Sequence, residues 1–229
     1  MGLADQIEIG NPTQPHCATV LLLDTSGSME GEKIACLNEA LRAFKEETAA
    51  DELARKRVDL AVLTFGGAVN LAHDFCCIED FEPTAFSAGG GTPLGGAILK
   101  AADMIEQRKE QYKLQGIDYY RPWMFLITDG APTDMRPGES IWNDVVTRVR
   151  EGETKKKFMF FAVAVDPADT ETLSAIAPVD RPPVKLIGSK FKEMFQWLSK
   201  SQAKVSSSKV GENVSIENPV AAGWGQISA

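Results

Sequence analysis

Residues 21–28 read Leu21-Leu22-Leu23-Asp24-Thr25-Ser26-Gly27-Ser28, and this stretch decides the predicted fold. It closes an apolar run that begins at Ala18, and an apolar run bounded by turn residues predicts a buried strand of a parallel sheet. Asp24 then stands at the carboxyl end of that strand, where open α/β sheets bind their ligands. Asp24, Ser26 and Ser28 all carry oxygen donors, which suit a hard cation such as Mg²⁺ better than Zn²⁺. The stretch therefore predicts a metal site in a strand-to-helix loop.

The composition is that of an acidic globular protein. Among its 229 residues, 44% are hydrophobic and 24% are charged, which is sufficient for one large domain. The formal net charge of −8 argues against nucleic acid as a main partner, because phosphate binding requires a basic surface. The sequence shows neither a signal-peptide pattern nor an apolar run of about 18 residues, so we expect a soluble cytoplasmic protein with no membrane partner.

The cysteines do not indicate a metal site or a disulfide framework. There are four of them, with no C-x-x-C spacing, and two are adjacent: Cys17, Cys36, Cys76 and Cys77. We interpret Cys17, which borders an apolar run, as a free buried thiol.

Predicted strands and helices alternate along the chain. Strands are predicted at 17–23, 58–65, 68–75, 123–128, 158–165 and 184–187, and helices at 32–50, 95–112, 141–149, 170–176 and 191–198. This order predicts a doubly wound α/β fold, with a mostly parallel central sheet and helices on both faces. Gly66-Gly67 predicts a hairpin, which makes strand 68–75 an antiparallel edge strand.

Outside this core, composition defines two terminal segments. Residues 1–13 are predicted to be a loose arm, residues 14–201 the folded domain, and residues 202–229 a flexible tail rich in Ser, Gly, Asn and Ala. Trp224 is the only aromatic residue of that tail. His16 and His73 are isolated in the sequence, and we expect both to be ordinary surface or partly buried histidines.

Two further loops carry oxygen donors toward the same edge of the sheet. Thr92 follows Gly89-Gly90-Gly91 just before a helix, and Asp129 follows the buried strand 123–128. Because the carboxyl ends of parallel strands lie at one edge, Asp24 and Asp129 can approach each other there. Two carboxylates and three hydroxyls supply five candidate ligands, while octahedral Mg²⁺ requires six.

The motifs of this set, and the residues next to them, also have other interpretations. Asp24-x-Ser26-x-Ser28 by itself is compatible with a helix N-cap and turn. The glycines before Thr92 are compatible with a phosphate loop, but no Gly-Lys-Ser/Thr sequence follows them. Thr133 and Asp134 either support the site through hydrogen bonds or cap a helix, and the sequence leaves both open.

The five positions together resemble a known site. Asp24-x-Ser26-x-Ser28, Thr92 and Asp129 resemble the metal-ion-dependent adhesion site (MIDAS) of von Willebrand factor type A (vWA) domains, over about residues 14–200. The resemblance implies a Rossmann-like vWA fold. Three segments look more narrowly like the TerY-like branch, which is found with bacterial tellurium-resistance genes: Leu21–Met29, Gly90-Gly91-Thr92-Pro93-Leu94-Gly95 and Thr128-Asp129-Gly130-Ala131-Pro132-Thr133-Asp134.

The resemblance implies a role for each ligand. Ser26, Ser28 and Thr92 would bind Mg²⁺ or Mn²⁺ directly, while Asp24 and Asp129 would act mainly through water. A Glu or Asp of a protein partner would take the sixth position. The family is mostly a binding module and not an enzyme, and TerY-like members are associated with protein kinase and phosphatase partners in stress signalling.

The alternative function is a metal-dependent phosphatase or phosphotransferase that uses Asp24 as its nucleophile, because Asp24 follows a hydrophobic strand as nucleophilic aspartates do. Two features oppose it. Such enzymes are expected to carry an acid/base carboxylate two residues later, where this chain has Ser26. No lysine is expected near the site loops.

Overall fold

A computed structural model describes residues 9–227, and its centre is a seven-stranded sheet. The strands are β1 Cys17–Asp24, β2 Val58–Gly66, β3 Ala68–Cys77, β4 Trp123–Thr128, β5 Met159–Ala164, β6 Val184–Leu186 and β7 Gly225–Ile227. The helices are α1 Glu32–Ala50, α2 Ala54–Arg57, α3 Leu94–Leu114, α4 Ser140–Thr154, α5 Thr170–Ile176 and α6 Phe191–Ser206. The predicted strands and helices are all present, with bounds that differ by a few residues, except that α4 and α6 extend further at their carboxyl ends.

The strand order is β3-β2-β1-β4-β5-β6-β7. Strands β2, β1, β4, β5 and β6 are parallel, and β3 runs antiparallel to β2. The predicted fold class, including the antiparallel edge strand after Gly66-Gly67, is confirmed. A second antiparallel edge strand, β7, pairs with β6 and was not predicted.

Strand β1 lies at the centre, and both of its faces are buried. Leu21 and Leu23 pack in a cluster with α1 and α6, whereas Val20 and Leu22 pack in a cluster with α3, α4 and α5. Successive side chains of a strand point to opposite faces, so a strand covered on both sides needs an unbroken apolar run. This explains why residues 18–23 show no alternation of polar and apolar residues.

The C-terminal segment packs against the domain, which differs from the predicted flexible tail at 202–229. Helix α6 continues to Ser206, and β7 adds to the sheet. Trp224 is 1% exposed, and its ring centroid lies 5.4 Å from that of Trp197. The tail is polar in composition, but one buried tryptophan supplies a large apolar contact area. An average over the composition of the tail hides the effect of this single residue.

The N-terminal arm predicted at 1–13 is only partly within the described residues, since residues 1–8 lie outside them. Ile9 is 4% exposed and packs in a small cluster with Ala18, Tyr112 and Ile117. The segment from residue 9 onward therefore contacts the domain.

His16 corrects a further expectation, because it is fully buried. Its Nδ1 lies 3.0 Å from Oδ1 of Asp59, near the amino ends of β1 and β2. The partner that permits this burial lies 43 positions away in the sequence and could not be recognised without the fold. Within residues 9–227, no helix combines the length and apolarity that are needed to cross a bilayer.

Candidate metal site

Asp24 ends β1 with its carboxylate completely buried. Oδ1 accepts a hydrogen bond from the Ser26 backbone N–H at 2.8 Å, and Oδ2 accepts one from the Thr128 hydroxyl. Burial raises the pKa of Asp24, and these hydrogen bonds only partly oppose the rise. Asp24 therefore holds the start of the loop in place through neutral donors alone.

A row of polar groups joins the end of β1 to the end of β4. The Oγ atoms of Ser26 and Ser28 are 3.0 Å apart, and the Ser28 hydroxyl donates to Oδ1 of Asp129 at 2.6 Å. The Ser26 and Asp129 residues are each 2% exposed, while Ser28 lies at the surface. The predicted convergence of these positions at one edge of the sheet is thus observed.

The glycine-rich loop before α3 is bound to the first loop through its backbone. Gly27 N–H donates to the Gly90 carbonyl at 3.0 Å, and Gly89 N–H donates to the Thr25 carbonyl at 2.8 Å. Gly90 has a φ of +76°, and a Cβ there would lie 2.6 Å from the Cα of Gly67. Only glycine permits this close approach of backbones.

Thr92 is brought to the same place by this loop. A Cβ built on Gly130 would lie 2.9 Å from Thr92 Oγ1 and 3.5 Å from Ser28 Oγ, so both hydroxyls lie over the residue that follows Asp129. Thr92 is 4% exposed. All five positions selected from the sequence are therefore neighbours.

Thr133 and Asp134 perform both of the roles that the sequence left open. The Thr133 hydroxyl accepts from the Thr92 backbone N–H at 3.0 Å and so orients the Thr92 backbone. The Asp134 carboxylate accepts from the N–H groups of Gly95 and Gly96, at 3.0 and 2.8 Å, and caps the start of α3. A carboxylate at a helix N-terminus is favourable because it pairs with free N–H groups there.

Lys33 is the residue that sequence reasoning missed, and the expectation that no lysine lies near the site loops is wrong. Its ammonium donates to Oδ2 of Asp129 and, at 3.1 Å, to the Ser28 carbonyl. Lys33 lies in the first turn of α1, which begins four residues after Ser28. A cation in the first turn of a helix that starts at the site was the available signal.

The donor set fits a hard divalent cation. Two carboxylates and three hydroxyls meet at one edge of the sheet, and Lys33 is the only charged donor among the hydrogen bonds that residues 9–227 make to them. In the same range, no group of three or more His, Cys, Asp or Glu side chains is arranged to hold a metal. A cation here would therefore rely on hydroxyl oxygens and keep much of its charge uncompensated.

The family model of the von Willebrand factor type A domain matches residues 19–196. No curated protein sequence matches the chain.

Many solved structures share the fold, and three illustrate the range. The pilus adhesin SpaC from Lactobacillus rhamnosus GG has a TM-score of 0.66 at 13% identity, with 86% of this chain and 31% of the adhesin covered. The vWF domain of the type V pili tip protein Mfa5 from Porphyromonas gingivalis has a TM-score of 0.60 at 11% identity, with coverages of 86% and 98%. Proximal thread matrix protein 1 from the mussel byssus, with a zinc-occupied MIDAS motif, has a TM-score of 0.55 at 16% identity, with coverages of 83% and 48%.

These identities establish the fold alone. The chain spans about a third of the length of the adhesin and about half that of the byssus protein.

Proposed function

We propose a metal-dependent binding function on the premise that this chain belongs to the von Willebrand factor type A domain family. Domains of this family are often protein-interaction modules that act through a MIDAS metal. One observation carries the proposal for this chain: the continuous row from Ser26 through Ser28 to Asp129, with Thr92 beside it, at the carboxyl edge of a parallel sheet.

The residues have distinct roles in this proposal. Ser26, Ser28 and Thr92 bind the metal through their hydroxyls, whereas Asp24 and Asp129 act mainly through water. The buried Asp24 also orients Ser26, because its carboxylate accepts a hydrogen bond from the Ser26 backbone N–H. Mg²⁺ or Mn²⁺ is the expected ion because all five side chains offer oxygen.

The sixth ligand is a Glu or Asp from a protein partner. Neutral hydroxyls leave the charge of a divalent ion undercompensated, so the ion remains attractive to an incoming carboxylate. It also offsets the repulsion between an acidic partner and a chain whose formal net charge is −8. One such bond is a small contact, and the surrounding loops must therefore supply the specificity.

A narrower assignment is supported by the motif sequences alone. Leu21–Met29, residues 90–95 and Thr128–Asp134 look like the TerY-like branch. On that basis we place the protein in the cytoplasm, in bacterial tellurite or metal stress signalling, with a protein kinase or phosphatase as partner.

The phosphatase or phosphotransferase alternative gains one feature, since Lys33 lies at the site and could contact a phosphate group. The environment of Asp24 opposes the alternative more strongly, because the carboxylate is completely buried and both of its oxygens accept hydrogen bonds. A nucleophilic carboxylate must reach its substrate. Release of phosphate from a generic phosphoester in Mg²⁺, abolished by Asp24→Asn, would replace the binding function with an enzymatic one.

The metal site is tested by titrating Mg²⁺ and Mn²⁺ calorimetrically into the metal-free protein. We expect saturable binding to the wild type and none to a Ser26→Ala/Ser28→Ala variant. A Ser207→Ala/Ser208→Ala variant is the matched control, because those hydroxyls donate to the nearby carbonyls of Lys204 and Val205. Equal heats of binding for all three proteins would refute the proposed metal site.

The partner is tested by capture from a lysate of the source organism, in Mg²⁺ and in chelator. A protein that binds in Mg²⁺, and is lost both in chelator and on Asp129→Ala, satisfies the proposal. Capture that persists under both conditions would show an interaction that does not use the metal.

A further inference from the structure

We propose that Lys33 is a built-in cation that competes with the divalent metal for Asp129, an inference that rests on the metal site proposed above. In the absence of metal its ammonium holds the carboxylate, and a metal must displace it. Lys33 therefore sets the metal concentration at which the site fills.

The position of the Lys33 ammonium supports this role. It donates to Oδ2 of Asp129, while the Ser28 hydroxyl donates to Oδ1 of the same carboxylate. It also donates to the Ser28 carbonyl at 3.1 Å. Two of the five predicted ligand positions are thus in direct contact with one lysine, and both oxygens of Asp129 are engaged.

The burial of the two partners shows why this contact competes effectively. The Asp129 side chain is 0% exposed, so its charge is poorly hydrated and needs a cation from some source. The Lys33 side chain is 28% exposed and can withdraw toward solvent along its flexible stem. The carboxylate is held in place, whereas the ammonium can leave.

The balance of charges at the site also indicates that Lys33 competes with the metal. Asp24 and Asp129 bring two negative charges, and within residues 9–227 Lys33 is the only charged group that donates to either of them. A divalent ion attracts the Asp129 carboxylate more strongly than an ammonium does, because it carries twice the charge. It then lies near the positive charge of Lys33, however. Removal of the Lys33 charge should therefore tighten metal binding.

The test compares Lys33→Met with Lys45→Met by calorimetric titration of Mn²⁺ into the metal-free proteins. Both lysines lie on α1, have similar side-chain exposures of 28% and 24%, and pair with an acidic residue, so each variant removes one comparable charge. We expect Lys33→Met to bind Mn²⁺ about tenfold more tightly than the wild type, as the loss of one nearby like charge predicts. Lys45→Met should bind as the wild type does.

Melting temperature gives a second readout that does not depend on heats of binding. In chelator, Lys33→Met should melt below the wild type, because Asp129 then has no cation. Saturating Mn²⁺ should raise its melting temperature by more than it raises that of the wild type. Lys33→Arg, which keeps the charge, should restore the behaviour of the wild type.

The outcomes separate this inference from the proposed function. If the wild type binds Mn²⁺ and Lys33→Met binds it no more tightly, the role of Lys33 is refuted and the metal site stands. If only Lys33→Met binds Mn²⁺, Lys33 blocks the site and the proposed function must be revised. If neither protein binds Mn²⁺, both proposals are overturned.

Discussion

Two buried carboxylates at opposite ends of the same sheet have opposite electrostatic surroundings. At the amino ends of the central strands, Asp59 is 1% exposed and contacts His16, Arg108 and Tyr112. At the carboxyl end, Asp24 is equally buried, but its hydrogen-bond donors among residues 9–227 are neutral groups of Ser26 and Thr128.

The difference appears in their pKa values. Burial alone would raise the pKa of Asp59, but the hydrogen bond from His16 and the charge of Arg108 outweigh it and hold the pKa below its ordinary value. The pKa of Asp24 is raised, because burial exceeds the effect of its neutral donors. A carboxylate that the chain itself neutralises serves the fold, whereas the charge of one held by neutral donors is left for a nearby cation to offset.

The largest effect that we expect is from Asp59→Asn. It leaves the buried Arg108 guanidinium without a counter-charge, so the free energy of unfolding should fall by about 3–5 kcal/mol. Chemical denaturation of the metal-free protein measures this change. Asp103→Asn removes the exposed partner of Arg148 and should lower the value by at most about 1 kcal/mol. Equal losses of unfolding free energy in the two variants would show that Asp59 contributes no more to stability than an exposed ion pair does.

The same carboxylate should make stability depend on acid. Its folded-state pKa is lower than its ordinary value of 3.8, so Asp59 contributes stability above that value and loses the contribution as the pH falls through the folded-state pKa. The difference in unfolding free energy between wild type and Asp59→Asn should therefore narrow below about pH 3.8. Denaturation curves across that range measure the difference. A constant difference down to about pH 2 would contradict the assignment.

At the carboxyl end of the sheet, the contribution of Asp129 to stability should depend on metal. Ligand binding to the folded state stabilises it by about 2.7 kcal/mol when the ligand concentration is 100 times the dissociation constant. We expect Mn²⁺ to stabilise the wild type by this amount and to leave Asp129→Asn unchanged. Melting curves with Mn²⁺ and with chelator measure both. A similar shift in the two proteins would place the ion elsewhere.

Gly130→Ala should act on the site with little effect on the fold. The added Cβ would lie 2.9 Å from Thr92 Oγ1, so the Thr92 hydroxyl must move. We expect the affinity for Mn²⁺ to fall by about tenfold, the low end of losses for groups that support metal ligands. Gly89→Ala is the control, since its Cβ would meet no atom within 4 Å. Unchanged affinity in Gly130→Ala would argue against Thr92 as a ligand.

The smallest expected change in stability is that of Asp24→Asn in chelator. The variant removes a buried charge that no cation contacts within residues 9–227 and keeps one oxygen acceptor for the Ser26 N–H, while the Thr128 hydroxyl can rotate to accept from the new amide. The free energy of unfolding should therefore change by less than about 1 kcal/mol. Mn²⁺ binding should nevertheless be lost. If Asp24→Asn destabilised the protein as much as Asp59→Asn, the contrast between the two ends would not hold.

Local signals were sufficient for the framework of this fold. The apolar run through Leu23 predicted a central strand because a strand covered on both faces cannot alternate. The fold then explains why Asp24 and Asp129 meet, since parallel strands end at one edge. The MIDAS pattern of Asp24, Ser26, Ser28, Thr92 and Asp129 was recognisable because three short loops carry it.

What was missed depended on long-range or single-residue contacts. His16 gave no sign of its burial, because its partner Asp59, which Arg108 also contacts, belongs to another element. Trp224 stands in a polar segment, and its packing on Trp197 could not be recognised from composition.

By itself, then, the sequence indicated most of the strands and helices in their order and the five candidate oxygen donors, because hydrophobic periodicity and turn chemistry are local. Only the tertiary structure decided which buried carboxylate pairs with a buried cation of the chain and which pairs with a partly exposed one. That decision depends on where Arg108 and Lys33 extend in space. Arg108 is buried beside Asp59, whereas Lys33 reaches Asp129 from the surface and can be displaced.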